Sequence, residues 1–413
     1  MSRNRNALRH GRPIWLTQAR MGSASTYPRF RGRVASDVVI VGGGITGALV
    51  AAAFAREGIP VVLLESGCVG SGSTAASSAL LLREPDRGLA DLATRYGAAA
   101  SRRIWELGDD AVQDLIRTLH RHRIECDLVQ RDAIYYATNT HALHDLRSEF
   151  LLRSRAGFPC EWLSPADVRR ATGVPMRGAI RTSGNAQFDP YKACVGLMRA
   201  ARAEGAAIYE RSPVIRIVHA RQRVRVHMRH GHIDAARVVI ATGYATRHFR
   251  PLAGRFRMYR TYVLATRPLN EREQRDVGLG NVMIWDTDRP YHYARWTPDR
   301  RLLLGGADRA IRRGQTRTRV FTSATRELRA HFEALLPSLG DIGIERAWEG
   351  VFAVTADSLP FVGPHRKYPG HLFALGYGGN GMTFGSLAAR LLLEQWRGER
   401  TPDQRLFHFS RLR

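Results

Sequence analysis

The chain has 413 residues, 44% of them hydrophobic and 24% charged, a balance that excludes a disordered polypeptide and supports a large core, expected as two domains. Its formal net charge of +26 is almost all arginine, Lys192 and Lys367 being the only lysines, and the arginines are scattered through every segment instead of forming one basic block. Nucleic-acid binding is therefore not expected, no apolar run reaches the roughly 18 residues of a membrane-spanning helix, and Cys68, Cys126, Cys160 and Cys194 form no C-x-x-C pair.

The N-terminus is basic but has no apolar h-region, so a cytoplasmic protein with free thiols and no metal is expected. Residues 1–33 are broken by Gly11, Pro13, Gly22, Pro28 and Gly32 and read as a basic arm. It would pack on the body through Ile14, Trp15, Leu16, Tyr27 and Phe30; a disordered tail is the alternative.

Val38-Val39-Ile40-Val41 then runs into Gly42-Gly43-Gly44-Ile45-Thr46-Gly47, an Ala-rich segment to Arg56, and Val61-Val62-Leu63-Leu64 ending on Glu65. The pattern is strand, tight turn, helix and strand. Gly42 permits the turn, Gly44 lets backbone N–H groups approach a pyrophosphate, and Gly47 lets the helix pack close to the sheet. Glu65 is placed to accept the ribose hydroxyls of a dinucleotide, with the phosphates at the positive end of the helix. The Gly- and Ser-rich stretch from Ser66 to Ser78 regains helical character near Thr74 and offers many donors to an anion or a planar ring. A plain linker is the alternative reading of it.

Apolar residues at helical spacing between Asp91 and Ile124 predict one or two long amphipathic helices. Ala133 to Ala137 reads as a strand and His141 to Arg155 as a helix. Ser164 and Pro165 carry the signature of a helix start. Gly184 to Tyr191 reads as a loop entering a helix that closes at Gly205. Strand-like segments follow at 208–210, 214–218 and 224–228, and Val238 to Gly243 returns the chain to a buried parallel sheet. Residues 258–309 are strand-rich and aromatic, a helix is expected from Ser323 to Leu336, and a second glycine loop, Gly376 to Gly385, precedes the last helix.

With these motifs on the page, the chain resembles the D-amino-acid-oxidase-like (DAO) family of FAD-dependent oxidoreductases, similar to glycine, sarcosine and γ-glutamylputrescine oxidases. The likeness runs over residues 15–396. It rests on the Gly42 to Glu65 unit, the Gly72-Ser73-Thr74-Ala75-Ala76-Ser77 loop, Gly184 to Tyr191, Ala241-Thr242-Gly243-Tyr244, Trp285 to Tyr291, Thr355-Ala356-Asp357-Ser358-Leu359-Pro360 and Gly376 to Gly385. The first motif alone would fit an NAD enzyme equally well. The C-terminal glycine loop and the T-x-D-x-L-P segment favour the flavin family. Ser358 stands where that family usually has glycine.

The resemblance implies an α/β (α+β) two-domain fold. Its parts are a Rossmann-like FAD-binding domain of GR2 type over 36–85, 173–253 and 346–400, and an inserted substrate domain over 86–172 and 254–345, built on a mixed, mostly antiparallel sheet. It further implies that Gly42, Gly44 and Gly47 meet the pyrophosphate and Glu65 the adenosine ribose. Ser73 and Thr74 would lie near the pyrophosphate or flavin, Val214 at the adenine, and Thr242 and Gly243 along the nucleotide. Gly379, Asn380, Gly381, Met382 and Thr383 would face the pyrimidine edge of the flavin, where reduction places negative charge. Neither 74–78 nor 355–363 contains His or Cys for covalent attachment, so non-covalent FAD is expected.

The expected reaction is oxidation of the C–N bond of a small amine or amino acid, with dioxygen or another acceptor taking the electrons. No side chain is singled out as a catalytic base. For a substrate carboxylate the first candidate is Arg295, because period-2 alternation in Tyr291-His292-Tyr293-Ala294-Arg295 puts Tyr291, Tyr293 and Arg295 on one face of a strand. Tyr259 is a weaker candidate, and His292, on the opposite face, reads as structural. Two alternatives stand: a dehydrogenase passing electrons to a quinone or carrier protein, and an RNA-associated flavoprotein. Membrane contact is not indicated.

Overall fold

The computed structural model describes residues 8–18, 27–220 and 223–412. Two β-sheets organise them, and each is built from segments far apart in the chain. The first has the order Phe361–His365, Tyr368–Leu375, Gly231–Gly243, Gly32–Val41, Val61–Leu64, Ala207–Tyr209. From Tyr368–Leu375 to Ala207–Tyr209 every neighbouring pair is parallel, as buried Val/Ile/Leu runs with helical crossovers require. A hairpin, Arg216–Ala220 and Arg223–Met228, joins the edge of Gly231–Gly243 in antiparallel fashion.

Helices Ile45–Arg56, Pro190–Ala203 and Gly381–Trp396 bury Ala48, Leu49, Ala193, Leu197, Phe384 and Leu387 in one core with Ile40, Leu63 and Val239 of this sheet. The long helix Ala98–Arg121 adds Ile104, Leu107, Ala111 and Leu115 to the same core.

The second sheet contains ten strands, and its antiparallel centre is Ile344–Val354, Arg257–Thr266, Leu302–Ala310 and Tyr293–Trp296. It continues through Met283–Asp286, which pairs in parallel with Val129–Tyr136, and then through Ala179–Gln187. Helix Arg317–Leu335 covers one face through Ala324, Leu328 and Phe332. The opposite face lies against the 73–78 segment. There the Trp348 indole donates to the Ala76 carbonyl at 2.9 Å, and Gly350 leaves room for the Ala76 methyl.

The sheets move some expected boundaries. Ala179–Gln187 and Ile344–Val354 belong to the antiparallel sheet, although 173–253 and 346–400 were assigned to the nucleotide half. Leu89–Tyr96 and Ala98–Arg121 pack into the nucleotide core, whereas the resemblance places 86–172 in the substrate half. The expected loop at Gly184 to Gln187 is strand. Its polar residues are buried and partnered there, Asn185 donating to Thr182 and accepting from the Arg83 N–H, so hydropathy does not betray it.

The strand expected at 214–218 starts at Arg216, and the helix expected from Ser323 starts at Arg317, whose guanidinium is held by the buried Glu349 carboxylate, a tertiary contact that hydrophobic spacing does not reveal. The arm is partly structured. Arg9–Gly11 pairs with Ile344–Val354, Ile14–Gln18 is a short helix, and Ile14, Trp15, Tyr27 and Phe30 are buried. Residues 1–7 and 19–26 of the arm lie outside the described ones. Among the described residues no helix is long and apolar enough to cross a membrane.

Candidate active site

The first glycine motif forms the turn its spacing dictates. Gly42 leaves the strand at φ +115°, a conformation L side chains rarely adopt, and its N–H bonds the Leu64 carbonyl. A Cβ on Gly47 would stand 1.9 Å from the Gly42 carbonyl oxygen, so only glycine lets the helix reach the turn. Helix Ile45–Arg56 has no side-chain cap from Gly44; the Ile45 N–H is taken by Thr74, and the N–H groups that follow it in the first turn are left for an anion. Glu65 closes the second strand. Its carboxylate accepts from the Gly43 N–H at 2.7 Å and the Gly67 N–H at 2.6 Å, which fixes it beside the turn.

Thr74 accepts the Ile45 N–H at 3.0 Å, whereas the Ser73 hydroxyl is turned to the Val351 carbonyl. Val214 lies past Ser212, whose N–H bonds the Glu65 carbonyl at 2.8 Å, and its own carbonyl meets the His248 ring at 3.2 Å. The Thr242 hydroxyl is used locally on the Tyr244 carbonyl. Gly243 accepts the Gly376 N–H at 2.9 Å, tying the end of strand Gly231–Gly243 to the start of the second glycine loop.

The second loop ends at helix Gly381–Trp396, which also has no side-chain cap. Its side chains are committed inward. Asn380 donates to the Glu84 carbonyl at 2.9 Å, Thr383 to the Leu82 carbonyl at 2.8 Å, and Met382 packs in the core. With the Gly379 N–H taken by Asp86, the groups this segment leaves for a ligand are the backbone N–H groups that follow it, together with the buried Asn380 Oδ1, which has no hydrogen-bond partner among the described residues.

Asp86 stands at the mouth of this loop. One carboxylate oxygen accepts the Gly379 N–H at 2.7 Å and the other accepts the Tyr291 hydroxyl at 3.1 Å. A Cβ on Gly379 would collide with the Tyr291 hydroxyl at 2.1 Å, so the loop and the tyrosine are in close contact.

Tyr291 opens an aromatic and acidic wall. Tyr293 lies 6.1 Å from it, ring centre to ring centre, and its hydroxyl is 3.3 Å from Thr261. Tyr293 lies across Gly305, where any Cβ would strike its ring. Trp285 stacks on Tyr135 at 3.7 Å behind Tyr291. Asp308 completes the group. It hydrogen-bonds Thr261, lies close enough to feel Asp86, and keeps Oδ1 buried without a partner.

Burial pushes the Asp308 carboxyl up to about 7, the Thr261 hydrogen bond opposing and Asp86 adding to the rise. Burial also raises Asp86, against the stabilising Gly379 and Tyr291 hydrogen bonds. Tyr293 is pushed up to about 12 by burial and by Asp308, so both phenols are neutral donors.

Arg295 does not join this wall. It is 1% exposed, lies over the Trp15 ring, and donates to the carbonyls of Ser78 at 2.6 Å, Phe188 at 2.9 Å and Trp296 at 3.3 Å. Burial pushes it down to about 9. It shares a strand face with Tyr293, as alternation requires, but its length carries the guanidinium past the site into the joint between the sheets. The expected carboxylate role is therefore corrected to a structural one. Arg289 is the guanidinium at the wall: exposed, 5.9 Å from the Tyr291 ring centre and 3.4 Å from the Tyr135 hydroxyl. Tyr259 is half-buried and stacks on Phe352 at 5.8 Å, one alternation step from Thr261.

Sequence reasoning missed Asp86, Asp308 and Arg289. The signal available for Arg289 was its place in Trp285 to Tyr291. Asp86 and Asp308 are single acids in unremarked strand and loop segments.

A parallel sheet with an uncapped helix at its glycine turn, facing a wall of phenols and carboxyls, defines an oxidoreductase built around a dinucleotide cofactor. The chain belongs to the DAO family of FAD-dependent oxidoreductases, whose family model matches residues 37–395. It is 28% identical to the γ-glutamylputrescine oxidoreductase of Escherichia coli K12, over 89% of this chain and 84% of that one. It is 26% identical to a glycine oxidase of Geobacillus kaustophilus, over 87% and 92%. The crystal structure of glycine oxidase from that organism superposes with a TM-score of 0.76 at 21% identity, covering 89% of this chain and 96% of the other.

FAD is the cofactor of this family, and the residues fit it. The Gly42–Gly47 cradle would receive its pyrophosphate, the Glu65 carboxylate its ribose and the uncapped end of helix Gly381–Trp396 its flavin edge.

Proposed function

We propose that this protein oxidises the carbon–nitrogen bond of a small amine or amino acid, the imine product then being hydrolysed by water. The observation that carries the reading is Asp86, which bridges the Gly379 N–H of the second glycine loop and the Tyr291 hydroxyl of the wall. A cationic nitrogen held there lies between the flavin loop and the phenols. The named activities of the γ-glutamylputrescine and glycine relatives support the same substrate class.

When bound, the flavin supplies the two-electron acceptor. The protein's residues then have three tasks. Asp86 and the unpartnered Asp308 Oδ1 hold an ammonium group, and Asp308, titrating near 7, accepts its proton so that the amine becomes neutral. Tyr291, Tyr293 and the Trp285–Tyr135 stack wall the substrate and orient its C–H bond. Arg289 is the group available to a substrate carboxylate.

The test is to purify the protein, record its flavin spectrum, and screen amines and amino acids anaerobically for bleaching. Bleaching by an amine is expected; a yellow protein that no amine reduces overturns the substrate class. Peroxide formation in air separates an oxidase from a dehydrogenase serving another acceptor.

A further inference from the structure

On the far side of the Asp286–His292 turn, away from the phenol wall, four side chains converge: Asp286, Asp288, His292 and His331. They come from the end of Met283–Asp286, the turn that follows, the start of the next strand, and helix Arg317–Leu335. One nitrogen or oxygen from each lies within 4.8 Å of all the others. His292 Nδ1 is 2.9 Å from Asp286 Oδ2 and 3.9 Å from Asp288 Oδ2, and His331 Nε2 is 3.4 Å from Asp286 Oδ2. The edge of a tetrahedron with zinc–ligand bonds of about 2.0–2.1 Å is roughly 3.4 Å, so these separations bracket it.

The carboxylates are also aimed. Asp286 Oδ1 is occupied by the N–H groups of Asp288 at 3.1 Å and His292 at 2.9 Å, and Asp288 Oδ1 takes the Thr138 hydroxyl at 2.6 Å. Each acid thus spends one oxygen on being positioned and turns Oδ2 toward the histidines, the outer-shell arrangement of metal ligands. His331 Nε2 is shielded from solvent yet makes no hydrogen bond of acceptable geometry. Two carboxylates beside two imidazoles make a mixed donor set whose charge a divalent cation balances.

We propose that Asp286, Asp288, His292 and His331 bind one divalent transition-metal ion, the mixed nitrogen and oxygen set suiting zinc. The ion replaces the expectation of a metal-free protein and pins the turn that carries Arg289 and Tyr291 to the wall. The imidazoles are now stacked at 3.7 Å and 19°, and capture fans them apart, a rotation open to half-exposed His331.

The test uses untagged full-length protein, stripped by chelator dialysis and titrated with zinc against a chromophoric competitor, with cobalt absorption reporting geometry. One equivalent per chain with a tetrahedral cobalt spectrum is expected. H331Q and D288N, both at partly exposed positions, should keep the wild-type circular dichroism and lose at least ~10–100-fold in affinity, the range for outer-shell partners being a lower bound for ligands. No zinc uptake by the wild type, or equal affinity in both variants, overturns the proposal. The readout is metal content and does not depend on the amine reading.

Discussion

The Asp86 carboxylate accepts the Gly379 N–H at 2.7 Å while holding the Tyr291 hydroxyl at 3.1 Å, so one acid ties the two sheets' contributions into a single site. D86N keeps the shape but sets an amide where a carboxylate served both donors. A hydrogen bond to a charged group contributes about 1.5–3 kcal/mol, so loss of one should slow amine-driven flavin bleaching ~10–100-fold. The FAD content, read from the ratio of flavin to protein absorbance, is followed alongside, so that displacement of the Gly379 loop is told apart from loss of the carboxylate. Anaerobic stopped-flow measurement of bleaching is the check, and an unchanged rate would remove Asp86 from the site.

Asp308 gives the pH dependence. Its folded value near 7 lies above the ordinary 3.8, so the folded protein binds a proton there that the unfolded chain has released. The stability this contributes is full below about 4 and is lost as pH rises through 7. D308N removes the titration. It should gain stability relative to wild type between pH 5 and pH 8, measured by denaturant unfolding of the flavin-free proteins. The bleaching rate of the wild type should rise through pH 7, and that limb should vanish in D308N.

Arg295 and Arg289 should separate cleanly. R295M leaves the buried Ser78 and Phe188 carbonyls without their donor, at about 1–3 kcal/mol each, so a loss of about 2–6 kcal/mol in unfolding free energy is expected. Its KM for a carboxylated substrate should match that of wild type. R289Q should do the reverse, with near-normal stability and a KM raised tenfold or more. A raised KM in R295M with unchanged stability would restore Arg295 to the site.

These contrasts show where sequence reading reached its limit. Gly42, Gly47 and Glu65 were readable because each answers a local backbone demand: a positive φ, a forbidden Cβ, a strand-end carboxylate. Tyr291 and Tyr293 followed from strand alternation. Arg295 satisfied the same alternation yet failed, because periodicity fixes the face and not how far a long side chain travels along it. Asp308 meets Thr261 across the paired strands Leu302–Ala310 and Arg257–Thr266, and Asp86 meets Gly379 where a loop of one sheet reaches a loop of the other; no spacing in the chain encodes either contact. The same is true of His331, which reaches Asp286 from a helix whose pattern shows only an amphipathic face.

Ser358 offers a last prediction, because here the chain departs from its family. In the T-x-D-x-L-P turn, Asp357 accepts the Thr355 hydroxyl at 2.8 Å and the Leu359 N–H at 3.2 Å, and Arg411 donates to it at 2.7 Å. These bonds fix the turn and force Ser358 to φ +60°, in the left-handed region where a side chain costs roughly 1–2 kcal/mol. Glycine removes that cost but adds unfolded-chain entropy of about 0.5–1 kcal/mol. The Ser358 hydroxyl contributes little in return, accepting from Arg87 Nε at a long 3.4 Å. S358G should therefore raise stability by a net ~0.5–1 kcal/mol, seen as a shift of the denaturant midpoint at constant slope. Flavin content and amine bleaching should be unchanged. A destabilised S358G would mean that the Arg87 contact outweighs the backbone strain.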